Sequence, residues 1–567
     1  MKRTAIACAL LVCAIHGVSQ VVVSDADPNG VSVPYAAEHL THETAEWLRA
    51  NDPFLLYQLG RDLVNRVHAR AAGALDRPGE MSVPLYAGDT AKDASRVRFS
   101  RDHTSSCGFC HSMPAREPGA GQTIPSTSAM GRNTTHFYGA GLVEMIGEEV
   151  RQRILAIADR DGDGFVSRAE AERAGRVAIA PAPGAPPIDF GSFAPDRRGV
   201  PQLNPAIRVW YVDAHGRPLR AARSLDAPGV AAFDFALQPF GWGRGRRTHA
   251  DGLVTSEGGE AATIREIVSL AADVHLGIES ADPLQQAEGG FGVARVSLSG
   301  ARQFDFGQAR GRTAELSVGD LDAIEHYVLH APPPAVRETA AGKRGRAVLR
   351  ETGCTRCHVE AWRIANDRRL FRIEPFVIAD DAGLPQIAAR LVRTAKKAFV
   401  ADGVFSDFRQ WDIGPAFHER RYDGSLQKEH RTAPLWGAGS TRPYGHDGRF
   451  DTLDDAIRAH GGAAQRERDR YDALPEQRRE QLLAFLESLV LWPTDEVPAD
   501  IDGDGVLSDD YMLAGQHVGP ERFDARFLFA VAPEYRVLWD ATDTAGRWRR
   551  LALIENVREA YRLGGTR

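Results

Sequence analysis

Cys107-Gly108-Phe109-Cys110-His111 and Cys354-Thr355-Arg356-Cys357-His358 are two copies of one pentad, Cys-x-x-Cys-His, and elsewhere cysteine occurs only at Cys8 and Cys13. In such a pentad the two thiols form thioethers to porphyrin vinyl groups, and the adjacent imidazole becomes an axial ligand of the iron. The pair predicts two covalently bound c-type haems, held by Cys107, Cys110 and His111 and by Cys354, Cys357 and His358.

The chain opens Met1-Lys2-Arg3, runs apolar from Thr4 to about Ile15, and then shows small residues at Gly17 and Ser19. That order predicts a secretory signal peptide over 1–19 and a periplasmic location, where covalent haem attachment takes place. No later run reaches 18 apolar residues, so no membrane span is expected. Loss of Cys8 and Cys13 with the leader would leave every thiol committed to haem. A composition of 43% hydrophobic and 26% charged residues with a net charge of -7 gives no electrostatic reason to expect nucleic acid.

A chain of 567 residues exceeds one core. The break Ala331-Pro332-Pro333-Pro334 cannot stay helical. It divides an N-terminal haem domain over 20–334 from a C-terminal cytochrome c-like haem domain over 335–493, with a tail over 494–567. The second domain should open with a helix from Val336 to Thr352, stopped by Gly353. It should close with one that starts at Pro475, buries Leu482, Leu483, Leu486, Leu489 and Val490, and stops at Pro493. Gly- and Pro-rich stretches such as 180–187 read as loops. The expected fold is mainly α: two cytochrome c-like haem domains with an inserted EF-hand and loop-rich insertions.

The insertion, near 150–175, is readable residue by residue. Asp159, Asp161 and Asp163 stand at the carboxylate positions of a calcium loop, Phe165 offers its carbonyl, Ser167 the next oxygen, and Glu170 a bidentate carboxylate; Gly164 permits the turn. Ile154, Leu155 and Ile157 give the incoming helix an apolar side. A second loop repeats the front half with Asp500, Asp502, Asp504 and the Val506 carbonyl, but its twelfth position is Tyr511, which cannot chelate.

Sixth ligands decide what each haem does: an iron with two protein ligands transfers electrons, and one with an open position binds peroxide or oxygen. The second domain contains no methionine, which excludes a His/Met haem built within it. Its remaining histidines are His418, His430, His446 and His460.

The stretch Pro443-Tyr444-Gly445-His446-Asp447-Gly448-Arg449-Phe450-Asp451-Thr452-Leu453, followed by Ala456-Ile457-Arg458-Ala459-His460-Gly461-Gly462, resembles the signature of bacterial di-haem cytochrome c peroxidases and their di-haem oxidoreductase relatives. Arg431-Thr432-Ala433-Pro434-Leu435-Trp436-Gly437, Gly131-Arg132-Asn133-Thr134 with Gly139-Ala140-Gly141-Leu142-Val143-Glu144, and Pro239-Phe240-Gly241-Trp242 extend the resemblance over roughly residues 50 to 490. It implies His460 as distal ligand of the second haem, since a His at this position looks like the oxidoreductase branch, which includes rubber-cleaving oxygenases, and a Met like the peroxidases. It implies that His446 lies near the haem edge. It brings the segment from Arg132 to Glu144 to the distal side of the first haem, where His136 would be a displaceable ligand or a propionate partner. Glu144 would move a proton between the peroxide oxygens if it faces the iron. His275 is a weaker candidate there.

The function so implied is a periplasmic di-haem c-type oxidoreductase of the peroxidase type. A small cytochrome or cupredoxin would feed electrons through the C-terminal haem to a reactive N-terminal haem that activates hydrogen peroxide or O₂. Two alternatives remain open: a non-catalytic electron carrier, and an oxygenase or protein-modifying enzyme of the MauG or rubber-oxygenase type.

Overall fold

The computed structural model describes residues 40–66 apart from 52, 106–111, 120, 132–219, 222–240, 261–272, 316–379 apart from 338, 385–420 apart from 395, and 426–492, with short strands elsewhere. The leader, Trp242, His275 and the loop from Asp500 to Val506 lie outside the described residues.

Two helix pairs underlie the pentads. The helix Pro53–Asn65 packs on Val318–His330, with Leu56, Leu59 and Leu63 meeting Leu321, Ile324 and Val328 at the i, i+3, i+7 spacing of a buried stripe. The helix Ala340–Thr352 packs on Glu476–Glu487, where Val348 and Leu349 meet Leu482, Phe485 and Leu486. Both crossings are close enough to require glycine. A Cβ on Gly60 would overlap the Ala323 carbonyl, and one on Gly345 the Gln481 carbonyl. The opening helix of the second pair starts four residues later than its sequence suggested, because Ala335–Val336 forms a strand against Leu489–Val490 and staples the two ends of this unit together. Gly353, in the left-handed region at φ 87°, ends that helix and delivers Cys354 directly.

The expected mainly α fold is overturned by antiparallel sheet. Strand Ala232–Leu237 lies between Ile207–Val212 and Val166–Ser167, Ile188–Pro195 lies between Arg176–Ile179 and Pro201–Leu203, and Phe371–Ala379 pairs with Pro385–Arg393 over nine positions. The physical cause is the alternation of side chains along strands that are buried through most of their length. Phe233, Phe235 and Leu237 point into a core shared with Ile188, Phe190, Phe193 and the helix Ala140–Ala158. Those apolar residues alternate across stretches whose Gly and Pro content suggested loops.

The helix Val318–His330 is buried on all sides although it carries Asp320, Asp322, Glu325, His326 and His330. Each is answered by a partner, as burial demands. Asp320 closes a capping box with Ser317, while Arg265 bridges Asp322 and Glu325. His326 Nε2 meets the Pro53 carbonyl at 2.8 Å. His330 Nδ1 donates to the His326 carbonyl at 2.7 Å, its Nε2 accepts from Leu370 N–H at 2.9 Å, and its ring stacks on Phe371.

Because Nε2 of His330 accepts a hydrogen bond, the ring must stay neutral, and burial pushes its pKa down to about 3. The unfolded chain binds this proton near pH 6.5 and the folded one near 3, so protons favour unfolding between those values. Stability is full above about pH 6.5 and falls on acidification. This single residue should cost about 2 kcal/mol by pH 5, measurable as a urea-unfolding free energy at pH 7 and pH 5. His330→Phe should flatten that dependence by about the same amount.

Candidate functional site

The first pentad is one helical turn, Cys107–Cys110, which places its thiols on one face. Ser106 starts it, accepting from Gly108 N–H and donating to the Val64 carbonyl at 3.2 Å, and so ties the turn to the end of the Pro53–Asn65 helix. His111 Nδ1 bonds the Thr135 carbonyl at 2.6 Å, and its ring lies on Phe137 with centroids 4.0 Å apart.

The second pentad follows Gly353 as a tight turn over Cys354–Arg356. His358 Nδ1 bonds the Phe405 carbonyl at 3.0 Å, and Asp407 N–H donates to the Cys357 carbonyl at 2.8 Å. All four pentad thiols are free of disulfides. Burial raises Cys107 and Cys357 to about 12, so both remain thiols rather than thiolates at neutral pH.

His460 caps the helix Leu453–Ala459, with Nδ1 on the Ala456 carbonyl at 2.7 Å and Phe417 edge-on to its ring at 5.2 Å. Its pKa is pushed down to about 4, first by burial and then by the neighbouring His358. The two imidazoles therefore sit within each other's electrostatic reach. In His111, His358 and His460 alike, a main-chain carbonyl holds the proton on Nδ1, the tautomer that leaves Nε2 as the metal-binding nitrogen. Paired thiols at i, i+3 and imidazoles in this tautomer fit covalently attached haem.

The segment 132–139 connects the two neighbourhoods. Thr135 holds His111, Asn133 N–H donates to the His446 carbonyl at 2.9 Å and its side chain to the Pro443 carbonyl, and His136 Nε2 bonds the Trp436 carbonyl at 2.9 Å. Tyr138 donates to the Trp492 carbonyl. His136 is thus engaged with the Trp436 main chain, and burial lowers its pKa. Glu144 is 1% exposed, and its Oε2 accepts from Ile264 N–H at 2.6 Å, at the start of the helix Ile264–Ala271. That contact anchors the start of a second helix to the one carrying Glu144.

His446, half-buried, stacks on the buried His430 with centroids 4.4 Å apart and meets the buried Glu419 at 3.2 Å. Trp411, opposite His430 across a strand pair, donates to Asp407 at 3.2 Å beneath the Arg409 guanidinium. Sequence reading missed Glu419 and Asp407, which carry no motif. For Asp407 the available signal was a carboxylate in a largely apolar stretch, Val404-Phe405-Ser406-Asp407-Phe408, whereas Glu419, within the charged run His418-Glu419-Arg420-Arg421, carried none.

Away from these, one ligand oxygen each from Asp159, Asp161 and Glu170 lies within 4.8 Å of the others. Asp159 is held by Gly162 and Gly164 N–H, and Glu170 by Arg160 and Ser167 N–H. Asp163 accepts from Phe165 N–H at 2.8 Å. The strand Val166–Ser167 leaving this loop pairs with Ala232–Phe233, and Arg151 joins Asp234 to the Gly164 carbonyl.

Residues 322–489 match the family described as "Di-haem oxidoreductase, putative peroxidase". No curated protein matches the chain. Among solved structures, hydrazine synthase of Kuenenia stuttgartiensis, pressurized with xenon, is 18% identical over 31% of this chain and 57% of that one, with a TM-score of 0.19. The chain spans little more than half the length of that protein. Among the described residues no helix is long and apolar enough to cross a membrane.

Replacing His460 by Gly in the haem-loaded protein should convert one of its haems from a low-spin form with two axial imidazoles to a high-spin form. Electron paramagnetic resonance of the ferric protein reads this directly, and an unchanged pair of axial imidazoles would overturn the assignment.

Proposed function

We propose that the protein is an exported c-type di-haem oxidoreductase of the peroxidase kind, acting in the periplasm on hydrogen peroxide with electrons from a small cytochrome or cupredoxin. The observation that carries this reading is the shared Nδ1-carbonyl bonding of His111, His358 and His460 within and beside two thiol pentads. The match over 322–489 supports haem redox chemistry in its second half. Bound haem would supply one-electron chemistry and, where a coordination position is open, peroxide reduction.

The residues divide the labour. Cys354, Cys357, His358 and His460 would hold one haem with two nitrogen ligands, an arrangement suited to passing electrons. Cys107, Cys110 and His111 would hold the other, and His136, whose Nε2 bonds the Trp436 carbonyl, would position that main chain rather than supply this nitrogen to iron. Glu144 is the candidate acid-base group: dry, and accepting from the Ile264 amide, it would take a proton at its carboxylate and return it. Phe137, on the face of His111, limits that ring's rotation.

Glu144→Gln separates proton transfer from anchoring, because the amide oxygen still accepts from Ile264 N–H. It should leave the thermal midpoint close to wild type and lower peroxide turnover by about 10²–10⁴, measured as oxidation of a reduced small cytochrome. A wild-type haem-loaded protein that exchanges electrons with that cytochrome yet leaves peroxide unconsumed would make the chain an electron carrier instead.

Calcium belongs to the same reading, bound by Asp159, Asp161, Asp163, the Phe165 carbonyl, Ser167 and Glu170. Calcium at 100 times its dissociation constant should stabilise the protein by about 2.7 kcal/mol, and Glu170→Gln should abolish that gain in thermal unfolding with and without chelator.

A further inference from the structure

The loop 404–409 closes over the second pentad with a strained backbone. Val404, Ser406 and Asp407 N–H donate to the carbonyls of Glu360, Val359 and Cys357 at 3.0, 2.9 and 2.8 Å, and among them the Phe405 carbonyl turns to take His358 Nδ1. Phe405 makes that turn at a positive φ of 52°, and Phe408 follows at 56°. Residues with a Cβ avoid this left-handed region, bulky ones most of all, so it persists only where the surroundings over-determine it. Phe405 meets that condition. Its buried ring stands edge-on to Phe485 of the Glu476–Glu487 helix, centroids 5.4 Å apart, and under the Arg346 guanidinium of the Ala340–Thr352 helix at 5.3 Å. Arg346 is itself pinned by Glu360 and Asp402, each at 2.7 Å.

We propose that Phe405 is a positioning residue for His358: packing of its ring forces the left-handed turn, and the turn aims the carbonyl that orients the imidazole and makes it a stronger donor to iron. The inference rests on the coordination reading above and deepens it by naming what sets the potential of that haem. An imidazole whose Nδ1–H is given to a carbonyl is the more basic ligand at Nε2. A more basic ligand favours ferric over ferrous iron, so the carbonyl holds the midpoint low and readies this haem to pass its electron on. The two helices that grip the Phe405 ring thereby act on the iron through one main-chain oxygen.

Phe408 supplies the comparison within the same loop. It has the same backbone conformation and is as deeply buried, with its ring 6.4 Å from that of Trp362. Its work is to close the loop rather than to aim a carbonyl at the imidazole: its N–H donates to Ser406 Oγ at 2.9 Å, and Ser406 Oγ donates to the Thr432 carbonyl at 2.6 Å. Trp362 Nε1 completes the closure on the Ser406 carbonyl at 2.8 Å. Loss of the Phe408 ring loosens the core by a similar amount and leaves the Phe405 carbonyl where it is.

The test is a spectroelectrochemical titration of the haem-loaded protein and its variants at neutral pH. Phe405→Ala keeps the Cβ that opposes a positive φ and removes the ring that imposes it. The turn should relax, the carbonyl should leave Nδ1, and the equilibrium constant for reducing this haem should rise about tenfold, a midpoint about 59 mV higher. Phe405→Gly also removes the ring, yet glycine takes the left-handed turn freely, so its midpoint should stay closer to wild type. Phe408→Ala should leave the midpoint unchanged. An alanine variant at the wild-type midpoint, a glycine variant shifted as far as the alanine one, or an equal shift in Phe408→Ala overturns the proposal. Should Phe405→Ala fail to load haem, nuclear magnetic resonance of the reduced wild type decides: slow deuterium exchange of the His358 Nδ1 proton is expected, and exchange as fast as in free imidazole overturns it. Paramagnetic resonance of the ferric wild type separates the two failures: axial imidazoles without the Phe405→Ala shift sink the positioning role, and their absence sinks the coordination reading.

Discussion

A main-chain carbonyl on Nδ1 of each key imidazole is the constraint on which the site depends. Thr135, Phe405 and Ala456 supply those carbonyls from three separate parts of the chain. Each bond selects one tautomer and fixes a ring plane, so the fold must deliver both the histidine and the facing peptide. The glycine-tight helix pairs make that feasible by fixing the helix end from which the second pentad emerges and the helix end to which Ser106 ties the first. In the second pentad the requirement is visible at Gly353, whose left-handed turn converts the end of a helix directly into Cys354. In the first it is Ser106, which spends one hydroxyl on both the turn it starts and the helix behind it.

Burial works in the opposite sense on the histidines and on the cysteines, and both results favour a neutral interior. His330 and His460 are driven toward the uncharged imidazole, while Cys107 and Cys357 are driven toward the thiol. Full charges persist in the dry regions where a counter-charge meets them at short range, as Arg265 meets Asp322 and Glu325 and Arg208 meets Glu266. The Val318–His330 helix shows how much polar chemistry a core tolerates when each donor and acceptor is answered.

What could be read from sequence follows from how local each signal is. The pentads, the carboxylate spacing of Asp159 to Glu170, the stop at Gly353 and the packing stripe of Leu482 and Leu486 are encoded within a few residues of one another. The strands were not legible because Phe233, Phe235 and Leu237 alternate within a stretch too short to outweigh its neighbouring Gly and Pro, and their partners lie at Ile207–Val212 and in the helix Ala140–Ala158. Ile157, placed on the buried side of that helix by its sequence neighbours, faces solvent at 45% exposure, since the burial stripe passes through Ile154 and Leu155 instead. The buried face of the Val318–His330 helix was invisible for another reason: a sequence rich in Asp and His reads as a solvated helix unless Arg265 and Leu370 are known to stand against it. Partners remote in sequence, such as Glu419 for His446, leave no periodic trace at all.

The segment 132–139 resolves an ambiguity that motif reading could not. Its residues resemble one family motif and 431–446 another, with nothing in either to say that they touch. In the fold they are one device: Thr135 holds His111, His136 holds Trp436, and Asn133 holds Pro443 and His446. A shift of this strap by a fraction of an ångström would be felt at His111 and at the Trp436 main chain together, because hydrogen bonds of 2.6–2.9 Å weaken steeply on stretching or misalignment. The His111 neighbourhood and the 431–446 segment are therefore joined through eight residues of chain.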